Sequence, residues 1–307
     1  MARTESVNGK KTARVSPELQ KARDYFKGQK DLLSPPIHRA AFSDRMAWIL
    51  ASMAHLAYDQ YEDNRIARKL FIAKLQGGGF GLVKTFYSKE TDTQGFLAKS
   101  NDGYAVLAFR GTEVSQRRDI AIDVKAMKVS VLDGRIHGGF RAAYDSIAKE
   151  VERSVLKLKD LPLYITGHSL GAALATVATQ RLEHNLTIRE MIAACYTFGS
   201  PRVGDTHYDI EFKSPIYRVV NTTDIVTIIP LLTMGYIHIG DIRYLGKLEG
   251  EFRRGIPILQ RGYLFLLTML KFFGPVVSDH AIVEYRRKLG AIAQKRNRGI
   301  GRRVDPY

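Results

Sequence analysis

Cysteine is nearly missing from this chain of 307 residues: there is one, Cys195, inside the apolar run Met191-Ile-Ala-Ala-Cys-Tyr-Thr-Phe198. A lone thiol excludes an intramolecular disulfide framework, and its apolar setting marks it as a small buried hydrophobe. Folding without disulfides suits a reducing compartment, or export that does not rely on them. Long apolar runs are missing too. No uncharged stretch reaches the roughly 18 residues expected of a membrane-spanning helix, and Met1 to Lys10 holds no apolar core of a secretory signal. Cytoplasmic or peripheral-membrane residence is therefore expected, with export by a signal-less route left open. No spaced Cys/His cluster of a zinc module, no homeodomain and no RRM pattern is present. Neither a metal, a cofactor nor a nucleic acid is expected as a partner on these grounds.

Acidic residues are few relative to basic ones: 31 against 47, a formal net charge of +16. The excess is concentrated at the two ends. Residues 1–30 hold eight basic and three acidic residues, and residues 284–307 hold eight and two. Such ends attract anionic lipid headgroups, so peripheral contact with an anionic membrane surface is one expectation and freely solvated tails are the other.

What the chain does have is the stretch Leu163-Tyr-Ile-Thr-Gly-His-Ser-Leu-Gly-Ala-Ala-Leu-Ala-Thr176. It begins apolar and β-prone, passes through Gly167-His-Ser-Leu-Gly171, and continues in small helix-forming residues. That order predicts a strand, a sharp turn and a helix, with Ser169 at the apex and its hydroxyl directed away from the sheet. Glycines two residues before and after the serine leave room where a Cβ would strike the neighbouring backbone. The Leu170 N–H would open the helix, where the positive end of the dipole favours an oxyanion. The pattern alone is a weak signal, and an ordinary βα turn with a surface serine is its bland explanation. The flanking strand and helix patterns are what raise Ser169 to a candidate nucleophile.

Along the chain, Met46, Ile49, Leu50, Met53, Leu56 and Ala57 recur at helical spacing behind a Ser43-Asp44 cap, and a second helix is expected from about Glu62 to Lys74. Strands are expected over Gly81–Tyr87, Gly95–Lys99 and Tyr104–Phe109, the last a near-continuous apolar run of the kind covered on both faces. Val129–Leu132 reads as a further strand, Gly134–Phe140 as a loop, and 141–158 as one helix. Ala193–Phe198 and Pro215–Val220 read as strands, Tyr236–Gly240 with Ile242–Leu245 as a hairpin, and 281–295 as the last helix. Strands alternating with helices on both sides of the serine turn imply an α/β fold, a mostly parallel central sheet with helices on both faces.

A serine hydroxyl needs a base, and the base needs a group to orient it. In α/β-hydrolases those partners follow the serine in the order acid, then histidine. Asp224 comes just after the strand ending at Val220, where a loop would present it at the carboxyl edge of the sheet. His184, His207, His238 and His280 follow Ser169. Only His238 and His280 also follow Asp224. His238 lies in the alternating run Tyr236–Gly240, which suits packing, whereas His280 lies in a loop before a helix, so His280 is the expected base. A second oxyanion donor is expected from Arg110-Gly111-Thr112 at the end of an earlier strand, with Thr112 as the donor beside Leu170.

Six blocks taken together resemble a known family. Phe109-Arg-Gly-Thr112, His137-Gly-Gly-Phe140, Gly167-His-Ser-Leu-Gly171, Phe198-Gly-Ser-Pro-Arg-Val-Gly204, Val220-Asn-Thr-Thr-Asp-Ile-Val226 and Asp279-His280 occur in the order found in class 3 lipases, the fungal triacylglycerol lipase type of α/β-hydrolase. The resemblance covers roughly residues 45–290. It implies esterase or lipase chemistry on a lipid or ester substrate. It also implies Ser169 as nucleophile, Asp224 as acid, His280 as base, and Thr112 and Leu170 at the oxyanion hole. The chain departs from the secreted fungal members in lacking their signal and disulfides. The stretch matching their lid, Arg117-Arg-Asp-Ile-Ala-Ile-Asp-Val-Lys-Ala-Met127, has no aromatic residue, so no lid of that kind is expected. The apolar segment 255–277, with Arg261 and Lys271 as its only charges, reads either as a cap near the site mouth or as a core helix. The expected organisation is a basic, partly disordered extension (1–42), a hydrolase domain (43–295) and a basic tail (296–307). A catalytically silent binding or scaffold protein, an acyltransferase and a nucleic-acid binder remain as alternatives.

Overall fold

The computed structural model describes residues 15–37, 41–59, 64–111, 128–131, 134–210, 212–221, 224–230, 232–246, 251–253 and 280–301. Its frame is an eight-stranded sheet. The strands are β1 (Phe80–Ser88), β2 (Thr93–Ser100), β3 (Ala105–Phe109), β6 (Leu163–His168), β7 (Ile192–Phe198), β8 (Ile216–Asn221), β9 (Asp241–Leu245) and β10 (Phe252–Arg253), in spatial order β1-β2-β3-β6-β7-β8-β9-β10. The five strands from β3 to β9 in that order run parallel, and the outer pairs β1–β2, β2–β3 and β9–β10 are antiparallel. Two further strands, β4 (Lys128–Val131) and β5 (Gly134–His137), form a separate ribbon. The α/β class and the mostly parallel sheet expected from the sequence are present.

Local chemistry explains the elements. Every residue of β3 and β6 is buried, because helices cover both faces of the central strands. On one face, α1 (Pro17–Arg23), α2 (Asp44–Leu56), α3 (Arg65–Gly77) and α9 (Ile282–Gly301) pack with Phe26, Trp48, Phe71 and Tyr285. On the other, α4 (Gly138–Asp145), α5 (Ala148–Leu156), α6 (Leu170–Glu183) and α7 (Leu186–Met191) pack with Ile165, Leu174 and Tyr144. A short helix α8 (Thr206–Ile210) follows β7. Ser43 caps α2 by accepting from the Met46 N–H, and Asn64 caps α3 by accepting from Ile66 and Ala67. No helix among the described residues is long and apolar enough to cross a membrane.

Five expectations change. The hairpin at 236–245 does not form: β9 pairs in parallel with β8, while Ile237 makes an isolated bridge to Gly204. Alternation marks a half-buried strand but does not select its neighbour. The segment 141–158 is two helices rather than one, broken where the Ser146 hydroxyl bonds back to the Ala143 carbonyl. The first of them starts earlier, at Gly138, with His137 Nδ1 accepting from the Gly139 N–H, so the whole of the expected loop is strand and helix. The N-terminal boundary at 43 cuts through packed structure, because Phe26 and Leu32 are buried in the core and α1 lies on α3. Lastly, α9 continues to Gly301, past the expected start of a tail. Arg296 bonds Asp44 at 2.7 Å and Lys295 bonds Glu251 at 2.9 Å along it.

Candidate active site

Ser169 stands between β6 and α6 with φ +59°, a conformation L-residues rarely adopt. The turn is tight on both sides. A Cβ on Gly167 would strike the Gly171 carbonyl, and one on Gly171 would strike the Phe109 carbonyl. The serine N–H donates to the Phe198 carbonyl at 3.0 Å, tying the turn to β7. The small residues Gly171, Ala172, Ala173 and Ala175, all buried, let α6 seat directly on the sheet below. Leu170 occupies the first helical position, where backbone N–H groups have no intrahelical acceptor. That is the location required of an oxyanion donor, as its sequence position implied.

Asp224 follows β8 after a short turn. Its N–H donates to the Asn221 carbonyl at 2.9 Å, and its Oδ1 caps the following 3₁₀ turn by accepting from Val226 at 3.0 Å. The other oxygen, Oδ2, accepts from His280 Nδ1 at 2.7 Å and from the Tyr285 hydroxyl at 2.6 Å. Asp224 is 4 % exposed and His280 fully buried, so the pair is shielded from water. Nδ1 faces a carboxylate and must carry the proton, which leaves Nε2 with its lone pair. Nε2 is buried and has no hydrogen-bond partner. The sequence expects His280 to take the serine proton, and among the described residues no group bonds Nε2.

Further groups hold this arrangement. Gly199, with φ +57°, lies against the pair: a Cβ there would come to 2.6 Å of Asp224 Oδ2 and 3.0 Å of the His280 ring. His168, next to the nucleophile, donates from Nε2 to the backbone carbonyl of His280 at 2.6 Å, and its Nδ1 meets the Tyr58 hydroxyl at 2.8 Å. The two imidazole rings lie 4.5 Å apart. The Tyr285 hydroxyl also accepts from the Asn221 N–H at 3.0 Å, and Lys288 Nζ donates to the Asn221 side chain at 2.9 Å. Burial, and then the nearby Asp224 charge, push the Tyr285 phenol well above its ordinary value, so it stays a proton donor to the carboxylate.

The structure therefore brings Ser169, Leu170, Asp224 and His280 to one edge of the sheet. Thr112, the stretch 117–127 and the segment 255–277 lie outside the described residues. His238 is not drawn to Asp224. Burial, with Arg218 and Arg202 nearby, pushes its imidazole down to about 2, so it is neutral and packs as expected. Sequence reasoning missed Tyr58, His168 and Tyr285. Only His168 carried a signal, as the variable residue inside the serine motif.

Known proteins resemble this chain in sequence and in fold. Residues 106–234 match the family model "Lipase (class 3)". A lipase of Rhizomucor miehei is 32% identical over 174 residues, covering 52% of this chain and 47% of the relative. "Phospholipase A1-II 1" of Oryza sativa subsp. indica is 30% identical over 193 residues, covering 51% of this chain and 49% of the relative. The chain spans about half the length of the curated relatives it matches. Among solved structures, a mono- and diacylglycerol lipase from Aspergillus oryzae superposes with a TM-score of 0.56 at 24% identity, covering 69% of this chain and 82% of that one. That likeness shows the α/β-hydrolase fold.

Proposed function

We propose, from the match of residues 106–234 to the class 3 lipase family model, that this chain is a serine esterase acting on lipid carboxylic esters, acylglycerols or phospholipids. The observation that carries the reading is the buried Asp224–His280 contact at 2.7 Å, whose outer nitrogen Nε2 is unpartnered beside the Ser169 turn. Relatives named as lipase, mono- and diacylglycerol lipase and phospholipase A1 support the substrate class.

In this mechanism Ser169 Oγ attacks the ester carbonyl carbon while His280 Nε2 takes its proton. The charge on the imidazolium is balanced by Asp224, which is itself held by Tyr285. The Leu170 N–H donates to the tetrahedral oxyanion, and Thr112 is the second donor implied by the sequence. The C–O bond to the alcohol breaks as His280 returns the proton to the leaving oxygen. Water then enters by the same base, attacks the acyl-enzyme and releases the acid.

The test compares wild type with Ser169→Ala on nitrophenyl esters of short and long chain and on triacylglycerol and phospholipid dispersions. Hydrolysis that falls at least ~10³-fold in the variant, with unchanged thermal unfolding, is the expected result. Equal activity in the two proteins would remove Ser169. A folded wild type that neither hydrolyses any ester nor reacts with a fluorophosphonate would instead leave a binding protein on a lipase fold. Ester exchange outrunning hydrolysis when an alcohol is added would indicate an acyltransferase.

A further inference from the structure

Four cations line one cleft on the flank of the molecule. Arg23 of α1 and Arg65, Arg68 and Lys69 of α3 surround a cavity of about 360 Å³ whose remaining walls include Leu19, Ile72 and Ala73. No acidic side chain lines it, and none of the four cations pairs with an acid among the described residues. Three of these cations sit in the first turns of α3, which holds no acidic residue there. Positive charge at the positive end of a helix dipole works against folding. With no compensating contact among the described residues, such a departure points to a role outside the fold. Beside them, Ile66 is 72% exposed, a large aliphatic side chain on the same turn.

Topology fixes which way this cluster faces. Gly79, just after α3, accepts from Asn101 in the turn that leads into β3, so the end of the helix lies at the amino edge of the sheet. Phe71 packs on Phe96, whose strand partner is Ala108, near the carboxyl end of β3. The helix begins six residues before Phe71, about 9 Å further along in the direction of Ser169's edge. The other basic region faces the opposite way. α9 starts beside the site and runs antiparallel to α2, with Arg286 on Ser52 and Arg296 on Asp44, so its basic end lies at the amino edge. Two of its cations, Lys295 and Arg296, are already paired.

We propose that the Arg23/Arg65/Arg68/Lys69 cleft, with Ile66, is the surface that seats the protein on an anionic lipid surface, with the Ser169 edge turned towards the lipid. The orientation rests on the esterase reading; the binding does not. Charge complementarity favours phosphate-bearing headgroups, and an exposed isoleucine among the cations favours a lipid boundary over a nucleic-acid backbone, which offers nothing apolar at its phosphates.

The experiment is sedimentation with vesicles of phosphatidylcholine alone and with about a third phosphatidylglycerol, over a salt series, for three proteins: wild type, Arg65→Gln/Arg68→Gln/Lys69→Gln, and Lys295→Gln/Arg298→Gln. Wild type should bind the anionic vesicles and release them as salt rises. Each cation removed should weaken binding about fivefold, so the triple variant should bind roughly a hundredfold more weakly. The amino-edge variant should bind within threefold of wild type. The triple variant should unfold at the same or higher temperature, since the removed charges oppose the dipole, and its rate on a soluble short-chain ester should stay within twofold. Wild-type binding by the triple variant, or equal binding to neutral vesicles, would overturn the proposal. So would tighter binding to a DNA duplex than to anionic vesicles at the same salt. A wild type that binds vesicles but hydrolyses no ester, soluble or dispersed, would sink the esterase reading and leave the docking surface standing.

Discussion

At the amino edge of the sheet, where β6, β7 and β8 begin, a cavity of about 790 Å³ is lined by Pro162, Ile192, Pro215 and exposed polar residues such as Lys159 and Glu190. At the carboxyl edge, Ser169 and Asp224 are each 4% exposed and His280 is fully buried. This cavity and the candidate site therefore sit at opposite ends of the same strands. Parallel strands all leave the sheet in one direction, so the residues that follow β6 and β8, Ser169 and Asp224, arrive side by side without being near in sequence. The amino edge gathers strand entries, and although Asp160 beside its cavity also has a positive φ of +76°, no carboxylate–histidine contact lies there among the described residues.

The sharpest way to break this contrast is Asp224→Asn. The amide cannot balance the imidazolium, and it favours the wrong His280 tautomer. A fall of about 10⁴ in kcat is expected, with the fold retained. Steady-state kinetics on a soluble ester reads this directly. Activity within tenfold of wild type would mean that the buried pair is structural and that the carboxyl edge holds no more chemistry than the amino one.

A second test compares His280 with a histidine that has no carboxylate bound to its ring. His55 Nδ1 shares a hydrogen bond with the Tyr25 hydroxyl at 2.8 Å. Burial, and then the Arg286 charge, hold its imidazole down at about 4 instead of 6.5. The folded state thus prefers neutral His55. Its contribution is complete above pH 6.5 and is lost as pH falls from 6.5 through 4, about 3 kcal/mol in all. Thermal unfolding of wild type and His55→Gln between pH 7 and 4 should show a shallower acid slope in the variant. Parallel slopes would remove His55 as the source.

Smaller again is the effect of Tyr285→Phe, which removes one donor from Asp224 Oδ2 and leaves the ring in place. A loss of about 1–2 kcal/mol is expected for a hydrogen bond to a charged group, read as a roughly tenfold lower kcat at unchanged KM. Lower thermal stability with unchanged kcat would make Tyr285 a packing residue only.

The parts of the site that were legible in the sequence are those with local causes. Ser169 was legible because the glycines around it answer to close backbone approach, and Asp224 because it comes directly after an apolar strand. His280 followed from the order of the partners and its place before a helix. The groups that steady them were not legible, because their contacts span long separations: Tyr285 meets Asp224 across 61 residues and His168 meets the His280 carbonyl across 112. Fold-level errors have the same origin. Tyr236–Leu245 shows strand alternation, but the partner of Asp241–Leu245 is set by sheet order far away in sequence. The break between α4 and α5 turned on a single serine hydroxyl choosing a backbone acceptor. The burial of Phe26 and Leu32 beneath a basic N-terminal stretch was masked by the charges around them.

The smallest expected effect belongs to the amino edge itself. Thr187 and Glu190 line its cavity and are exposed. Neither contacts Ser169, Asp224 or His280, and the full length of the strands separates them from that edge. The double variant Thr187→Ala/Glu190→Ala should keep kcat/KM within twofold on soluble esters and its stability within about 0.5 kcal/mol, the usual range for exposed positions. The same variant measured on a long-chain ester sharpens the contrast, since an acyl chain threading to the amino edge would register there and nowhere else. A tenfold rise in KM confined to the long-chain substrate would mean that the cavity takes part in binding. Unchanged constants on both substrates would confine recognition, as well as chemistry, to the carboxyl edge.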